Sequence, residues 1–594
     1  MNETSRPRYT NERNAQIVIA LLKAHGIRDL VISPGATNDT FVLSVQDDPD
    51  FTLYSAVDER HAGYLACGLA QETGRPVVIN CTGATASRNY MPALTEAYYR
   101  KLPVLAITCS QHYSHLGNLN PQMTDRAHLP SDVANLSVQC PIPHTDEEIR
   151  DCELKVNRAL LALTHRGGGP AHINLETSFS QDYSAASLPP VRKISRVMPT
   201  DADWPALSTD AKIVVWIGSH RPFSPRQEKA LASFLQSHNA VAIGDCTSNC
   251  PLAIKPARLL YQYGSSENPD NKALLPDLII HIGEVSGDYP TLGWLKGRAP
   301  VWRVNEDGEL RNILGWLSTV FEMPEEFFFE HYVGDADVTS SGTFAQVWKT
   351  ATLRVQGKSA DLPFSNMWIA ETLAPKIPAE CNIHLGILNP LRCWNMVQVV
   401  AMHGFSTVGG FGIDGGTSSM LGTALAKPSR LNFGIFGDLS FFYDLNAIAN
   451  RHVGNNLRIL VVNNGEGGEF SAPGSVADNP CCGERVHDFI AAKGHFGSQS
   501  PQLVRHYAED LGFEYLSAST KEEFLSAYEH FVSDSGAKSI VFECFTTAQD
   551  DRAALNAIRS LEPYSAHGLA TGARTLARTI LPQRVKNAVK ELIR

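Results

Sequence analysis

Residues 431–470 read LNFGIFGDLSFFYDLNAIANRHVGNNLRILVVNNGEGGEF. An apolar run at 431–436 stops at Gly437-Asp438, a helix-like segment follows, and a second apolar run at 457–462 stops at Asn463-Asn464. Short apolar runs joined by a helical segment describe a strand-helix-strand unit of a parallel sheet. Neighbouring parallel strands bring their carboxyl ends side by side, so Asp438 and Asn464 can approach one ion although residues 440–462 separate them. A carboxylate, an amide oxygen and a nearby loop carbonyl suit magnesium, which takes octahedral oxygen coordination and fills its other positions with water and phosphate. Gly465, Gly467 and Gly468 let the main chain come close to such a phosphate. An aspartate at a strand end is also common for purely structural reasons, so the rest of the chain has to decide.

At 594 residues the chain is too long for one core, and about two to four domains are expected. An apolar fraction of 43% describes an ordinary globular protein, and no apolar run approaches the roughly 20 residues of a membrane span. The net charge of −11 argues against a general nucleic-acid binder, which needs a basic surface for phosphate. The amino terminus, MNETSRPRYTNER, is polar and lacks an apolar signal core, so no export is expected. The twelve cysteines include no Cys-x-x-Cys pair, and neither Cys246 with Cys250 nor Cys481-Cys482 has partners at zinc spacing. Reduced thiols in a cytoplasmic protein are the expectation.

From the amino terminus, NAQIVIALLKAH at 14–25 carries an amphipathic helical pattern with Gly26 as its stop. DLVIS, FTLYSAV, PVVINC and PVLAITC then read as strands, with helices at 58–73 and 84–99, and AHINLE at 171–176 follows a helix at 145–164. Strands alternating with helices give a doubly wound parallel sheet, whose active edge is at the strand carboxyl ends. Ser33, Asp58-Glu59, Thr82-Gly83 and residues 110–122 fall there. Residues 187–202, rich in Pro and Ser, read as a linker. A second α/β region, 203–339, has strands at KIVVWIG, AVAIGD, DLIIHIG and VWRVN, but its glycines lack the spacing of a dinucleotide fingerprint, so it reads as a spacer. The third region, 340–547, contains the opening stretch. In the tail, 548–594, Arg574, Arg578, Arg584, Lys586, Lys590 and Arg594 accompany Glu591, the pattern of a solvated terminal helix.

Glu59 is the second anchor, because in VDERHAGYLACGLA a strand gives way to a helix and places its carboxylate at the active edge. Asp58-Glu59 can also simply start a helix, where acids favour the positive dipole end. Glu59, Asp438 and Asn464 together resemble the thiamine diphosphate-dependent enzymes. Within that class the likeness is to the succinyl-enolpyruvyl-hydroxycyclohexene-carboxylate synthases of the menaquinone pathway. It is carried by ISPG at 32–35, VDERHAG at 57–63, GRPVVINCTGATA at 74–86, GPAHIN at 169–174, DLIIHIG at 277–283, WRVNEDGELR at 302–311, GIDG at 412–415 and GDLSFFYDLNAIA at 437–449. The resemblance spans about residues 14–545 and implies three doubly wound parallel-sheet domains: pyrimidine-binding at 1–186, central spacer, and diphosphate-binding.

It implies that Glu59 activates thiamine diphosphate by sharing a proton with the aminopyrimidine ring, a role in which burial should raise its pKa. It implies that Asp438, Asn464 and the Glu466 carbonyl hold Mg²⁺. Gly83, Gly412, Leu439, Ser440 and Gly467 would contact the cofactor, Ile413 would bend it, and Gln122 would meet the reacting intermediate. It further implies a homodimer at least, with a homotetramer as the larger assembly, each site drawing on the first and third domains of two chains.

The departures are as informative. The synthases read Ser-Pro-Gly-Ser-Arg-Ser where this chain has Ser33-Pro34-Gly35-Ala36-Thr37-Asn38, so a substrate-binding arginine has become Thr37. Another arginine is replaced by Leu116, an Asn-Arg-Gly by Thr407-Val408-Gly409, and a spacer lysine falls near Gly287-Asp288. Of Gly-Asn-Ser-x-Pro-x-Arg, Gly386, Pro390 and Arg392 remain, with Asn389 beside them. Each lost arginine removes a bidentate carboxylate clamp. The expectation is therefore decarboxylation of a different 2-oxo acid, such as pyruvate or another small one, with transfer of the acyl unit to a separate acceptor. Thr37, Asn389 and Arg392 are the substrate-binding candidates, and Arg392 can hold the donor carboxylate. His61, His112, His115 and His403 are candidate proton shuttles. Simple decarboxylation, the synthase reaction itself and a catalytically silent cofactor-binding protein are the alternatives.

Overall fold

The computed structural model describes residues 8–561 apart from 209, 264–268, 334–341, 402, 477, 478, 480 and 535. The basic residues of the tail from Arg574 onward, and the boundary expected at 340, lie outside the described residues. The chain carries three six-stranded sheets with flanking helices, the expected α/β class. It divides into two compact units, Met1–Val197 with Ser318–Val320, and Met198–Leu317 with Phe321–Arg594.

The first sheet is built from β1 (Asp29–Ile32), β2 (Thr52–Ser55), β3 (Val77–Cys81), β4 (Val104–Ser110), β5 (Leu136–Cys140) and β6 (Ala171–Glu176), in the order β2-β1-β3-β4-β6-β5. All its pairings are parallel. Strands β1, β3, β4 and β6 are buried along their whole length, which is why they read as continuous apolar runs. The chain leaves β1 toward β2 and later returns on the other side to β3. That reversal opens a crevice at the carboxyl ends of β1 and β3. The helix expected at 84–99 is two, Thr85–Asn89 and Met91–Tyr99, because Pro92 can start a helix but not continue one. Strand β5, LSVQC, alternates apolar with polar residues over only five positions and is half-buried, and sequence reading passed over it.

The second sheet contains β7 (Ser195–Val197), β8 (Ile213–Ile217), β9 (Ala240–Gly244), β10 (Leu278–Ile282), β11 (Val301–Asn305) and β12 (Leu317–Glu322), ordered β7-β12-β11-β10-β8-β9. Strand β7 falls inside the stretch read as a linker. The third sheet contains β13 (Asn382–Leu385), β14 (His403–Phe405), β15 (Asn432–Gly437), β16 (Leu457–Asn463), β17 (Glu514–Ala518) and β18 (Ile540–Phe545), ordered β14-β13-β15-β16-β18-β17 and parallel throughout. Its reversal lies between β13 and β15.

Within the second unit the second and third sheets are locked through main-chain contacts. Asn249 clamps Gly404, accepting from its N–H at 2.8 Å and donating to its carbonyl at 3.1 Å. A side chain at Gly404 would collide with the Cys246 carbonyl. The Cys246 N–H donates to Asn395 Oδ1 at 3.0 Å, and Cys246 and Ala257 join the hydrophobic core of the third sheet. The helix Ala548–Arg559, in what read as a solvated tail, packs Ala554, Leu555 and Ile558 into the same core.

Candidate active site

The register of β15 with β16 pairs Gly437 with Val462, so the next residues, Asp438 and Asn463-Asn464, emerge together at the sheet edge. Asp438 and Asn464 line a cleft of about 230 Å³ with Leu439, Ser440, Ile413, Asn389, Glu466, Gly467 and Gly468. Asp438 is 2% exposed, and burial pushes its carboxyl up to about 7 against the main-chain N–H groups of Leu439 and Gly465. Its Oδ2 has no hydrogen-bond partner among the described residues. A buried carboxylate oxygen left unpaired is destabilising unless something else satisfies it.

Asn464 faces the same space in a fixed orientation. Its Nδ2 donates to Asp551 Oδ2 at 2.9 Å, while its Oδ1 accepts from the Glu466 N–H at 3.2 Å. Asp551 is itself held by the Asn366 N–H at 2.7 Å, and burial pushes its carboxyl up to about 6. The Glu466 side chain turns to Ser471 and to His487, whose Nδ1 is 2.9 Å from Oε2. A side chain at Gly468 would strike the amides of Asn464 and Asn389, so the floor of the cleft stays open only with glycine there. Gly465, at φ +78°, makes the turn that follows Asn464 in a conformation glycine adopts freely. Orphaned oxygen, amide oxygen and open glycine floor fit a magnesium ion carrying a diphosphate. The Ser440 hydroxyl donates to the Ile413 carbonyl at 2.8 Å, and the Thr407 hydroxyl to the Gly412 carbonyl at 2.8 Å, fixing the loop of Gly412 and Ile413.

Arg392 is engaged within the chain. It makes a bidentate ion pair with Glu469, at 2.7 and 2.8 Å, so its charge is already neutralised within the chain. Asn389 remains on the cleft wall, at the start of the helix Asn389–Asn395.

The first unit contributes the crevice at β1 and β3. Asp58 caps the helix Glu59–Thr73, accepting from the N–H groups of Arg60 and His61. Capping is thus done by its neighbour, and Glu59 has no hydrogen-bond or ionic partner among the described residues. Glu59 is half-buried in the single chain rather than enclosed. Thr37 is buried, and its hydroxyl is engaged by the chain itself: it donates to the Cys109 carbonyl at 3.0 Å and accepts from the Gly83 N–H at 3.2 Å. Gln122 is exposed in a left-handed conformation, φ +64°, and a side chain at Gly83 would meet its carbonyl at 3.2 Å.

Of the histidines, His61 and His112 are exposed on the surface, and His112 and His115 hydrogen-bond locally to Ser114 and Gln111. His403 lies in β14 against the ring of Phe405.

Sequence reading missed two residues. Asp551 sits in the segment taken for a tail, and its only signal was the Thr547-x-x-Asp550 start of a helix. Arg126, in the loop after Gln122, is 3% exposed, with burial lowering its pKa, and nothing local in the sequence marks a buried arginine.

Comparison with known proteins agrees with this geometry. Residues 13–130 match the family model described as thiamine pyrophosphate enzyme, N-terminal TPP binding domain. The 2-succinyl-5-enolpyruvyl-6-hydroxy-3-cyclohexene-1-carboxylate synthase of Phocaeicola vulgatus is 30% identical over 563 residues, covering 91% of this chain and 97% of its own. The protein of the same name from Bacteroides fragilis is 30% identical over 91% of this chain and 98% of its own. That from Bacillus velezensis is 26% identical over 85% and 90%. With its three α/β sheets, the chain therefore belongs to the thiamine diphosphate-dependent enzymes, in the branch formed by these synthases.

Proposed function

We propose that this thiamine-dependent enzyme decarboxylates a 2-oxo acid and transfers the acyl unit to an acceptor other than isochorismate. The observation that carries the cofactor half is the orphaned, buried Asp438 oxygen beside the oriented Asn464. Thiamine diphosphate supplies, when bound, the electron sink that a departing carboxylate requires. Asp438, the Asn464 amide oxygen and the Glu466 carbonyl hold Mg²⁺, and Gly467 and Gly468 make room for the diphosphate. Ser440 and Thr407 brace the loop of Gly412 and Ile413, on which the cofactor bends. Glu59 would share a proton with the aminopyrimidine nitrogen, and Gln122 would orient the reacting group.

The substrate half rests on the cations that are absent or committed. Thr37 and Leu116 stand where the synthases have arginines, and Arg392 is neutralised by Glu469. A polyanion such as isochorismate, which needs several such clamps at once, would be poorly compensated where these three are absent or committed. The enzyme works in the cytoplasm as a homodimer or homotetramer, with each site drawing on two chains. No helix among the described residues is long and apolar enough to cross a membrane, and all twelve cysteines are free.

The test is carbon dioxide release by the protein with Mg²⁺ and thiamine diphosphate across a panel of 2-oxo acids, each with and without an aldehyde acceptor. Release dependent on Glu59 is expected, and acceptor-dependent product names the second substrate. The relatives' printed name favours a second reading, the synthase reaction itself. Efficient turnover of isochorismate with 2-oxoglutarate would establish that reading and overturn ours.

A further inference from the structure

Arg126 is a buried cation without a counter-charge. It is 3% exposed, its Nη2 donates to the Cys109 carbonyl at 3.3 Å, and its Nε and Nη1 have no hydrogen-bond partner among the described residues. The titratable groups that act on it are Cys81, Cys109 and Arg88, with no carboxylate among them. Burial pushes both thiols up, to about 12 for Cys109 and beyond for Cys81, so they are neutral. Neutral His172 faces it from β6. A guanidinium in such surroundings is unfavourable for the fold, and an anion that completes it would bind with charge-assisted, bidentate geometry.

Its position ties it to the active edge. A side chain at Gly83 would meet Nη1 at 3.2 Å and Nη2 at 3.4 Å, which puts the guanidinium over the carboxyl end of β3. Thr37 and Arg126 donate to the same Cys109 carbonyl, so the cation stands in the corner where Thr37 replaces an arginine. The positive charge that position 37 lacks enters that corner from the loop instead.

We propose that Arg126 recognises a substrate carboxylate that survives the reaction, either the second acid group of a dicarboxylic 2-oxo acid or the carboxylate of the acceptor. This rests on the thiamine-dependent reading above. The leaving carboxylate is a poor match, because pairing it with a fixed cation stabilises the ground state and not the transition state, in which its charge flows away. The chemical class of substrate is thus an acid that keeps one carboxylate in the product.

The experiment uses the full chain with Mg²⁺ and thiamine diphosphate and takes succinate as an unreactive carboxylate probe, measured by calorimetry. Wild type should bind succinate, Arg126→Gln should weaken it at least tenfold, and Arg126→Lys should recover part of the loss. Thiamine diphosphate affinity should stay unchanged in all three. Without succinate, Arg126→Met should melt above wild type, since it removes an unpaired buried charge.

In turnover, a higher KM for 2-oxoglutarate but not for pyruvate in Arg126→Gln assigns the donor. Unchanged donor kinetics with lost succinate binding assigns the acceptor. Equal succinate affinity in wild type and Arg126→Gln, no binding by wild type, or an Arg126→Met protein that melts below wild type would each overturn the proposal. Failure of the wild type to bind thiamine diphosphate would instead sink the parent reading, and the succinate comparison would still be decided on its own.

Discussion

Glu59 is a carboxylate at the β1–β3 crevice that the helix cap leaves unused, because Asp58 does the capping. Glu59→Gln keeps shape and hydrogen-bonding capacity but cannot exchange a proton as a carboxyl does. Cofactor affinity should change less than about threefold, and the rate of carbon dioxide release should fall by roughly 10²–10⁴, the usual contribution of positioned proton transfer. Equal rates in single-turnover measurements would remove Glu59 from the mechanism. Asp551 stands one step further out, holding the Asn464 Nδ2 and so fixing which end of that amide would meet a bound ion. Asp551→Ala frees that amide to turn, and Mg²⁺ affinity measured at saturating thiamine diphosphate should weaken about 10–100-fold. Asp438→Ala removes the proposed ligand itself and should weaken it further. Asp438, Asn464 and Glu59 were legible because each closes or opens an element whose period is plain in the sequence. Arg126 and Asp551 were not, because their burial is created by loops and helices folding back from elsewhere in the chain.

Strands that are covered on both faces announce themselves as apolar runs, and β1, β3, β4, β8, β10, β15 and β16 were all readable for that reason. Half-buried edge strands such as β5 and β17 mix polar with apolar residues over only five positions, too short a stretch to stand out from a loop, and were passed over. Strand β6 carries a polar group in its interior with a measurable consequence. His172 is buried, 2.8 Å from the Thr108 hydroxyl, and burial followed by the Arg126 charge lowers its pKa to about 3. The folded value is therefore depressed below the ordinary 6.5 of an unfolded chain. The stability this gives is present above pH 6.5 and is lost as pH falls from there toward 3. Between pH 6.5 and 5 the loss is about 2 kcal/mol. His172→Gln cannot titrate, so the advantage of wild type over this variant should shrink by that amount between pH 7.5 and 5. Urea midpoints at the two pH values check it, and a constant gap would mean that His172 takes up its proton in the folded state.

The three-domain expectation and the two compact units are reconciled by Asn249, Gly404 and Cys246, which bind the second sheet to the third by main-chain contacts. Sequence periodicity counts sheets but says nothing of which of them share a core. It is equally silent on how many chains make a site, although here the two halves of the chemistry fall in separate units: Glu59 in one, Asp438 and Asn464 in the other. If a site draws on two chains of a symmetric dimer, Glu59→Gln and Asp438→Ala can rescue each other. Each variant alone has both sites damaged. In a mixed dimer one site collects both substitutions and the other collects none. Random exchange of subunits after mixing equal amounts should then restore about a quarter of the wild-type rate, since about half the dimers are mixed and each has one intact site of two. The rate should appear with the kinetics of subunit exchange and should be absent when the variants are assayed immediately. If Glu59 and Asp438 serve the same site from one chain, every site in every mixture carries a substitution. No amount of exchange would then raise the rate above that of the two variants apart.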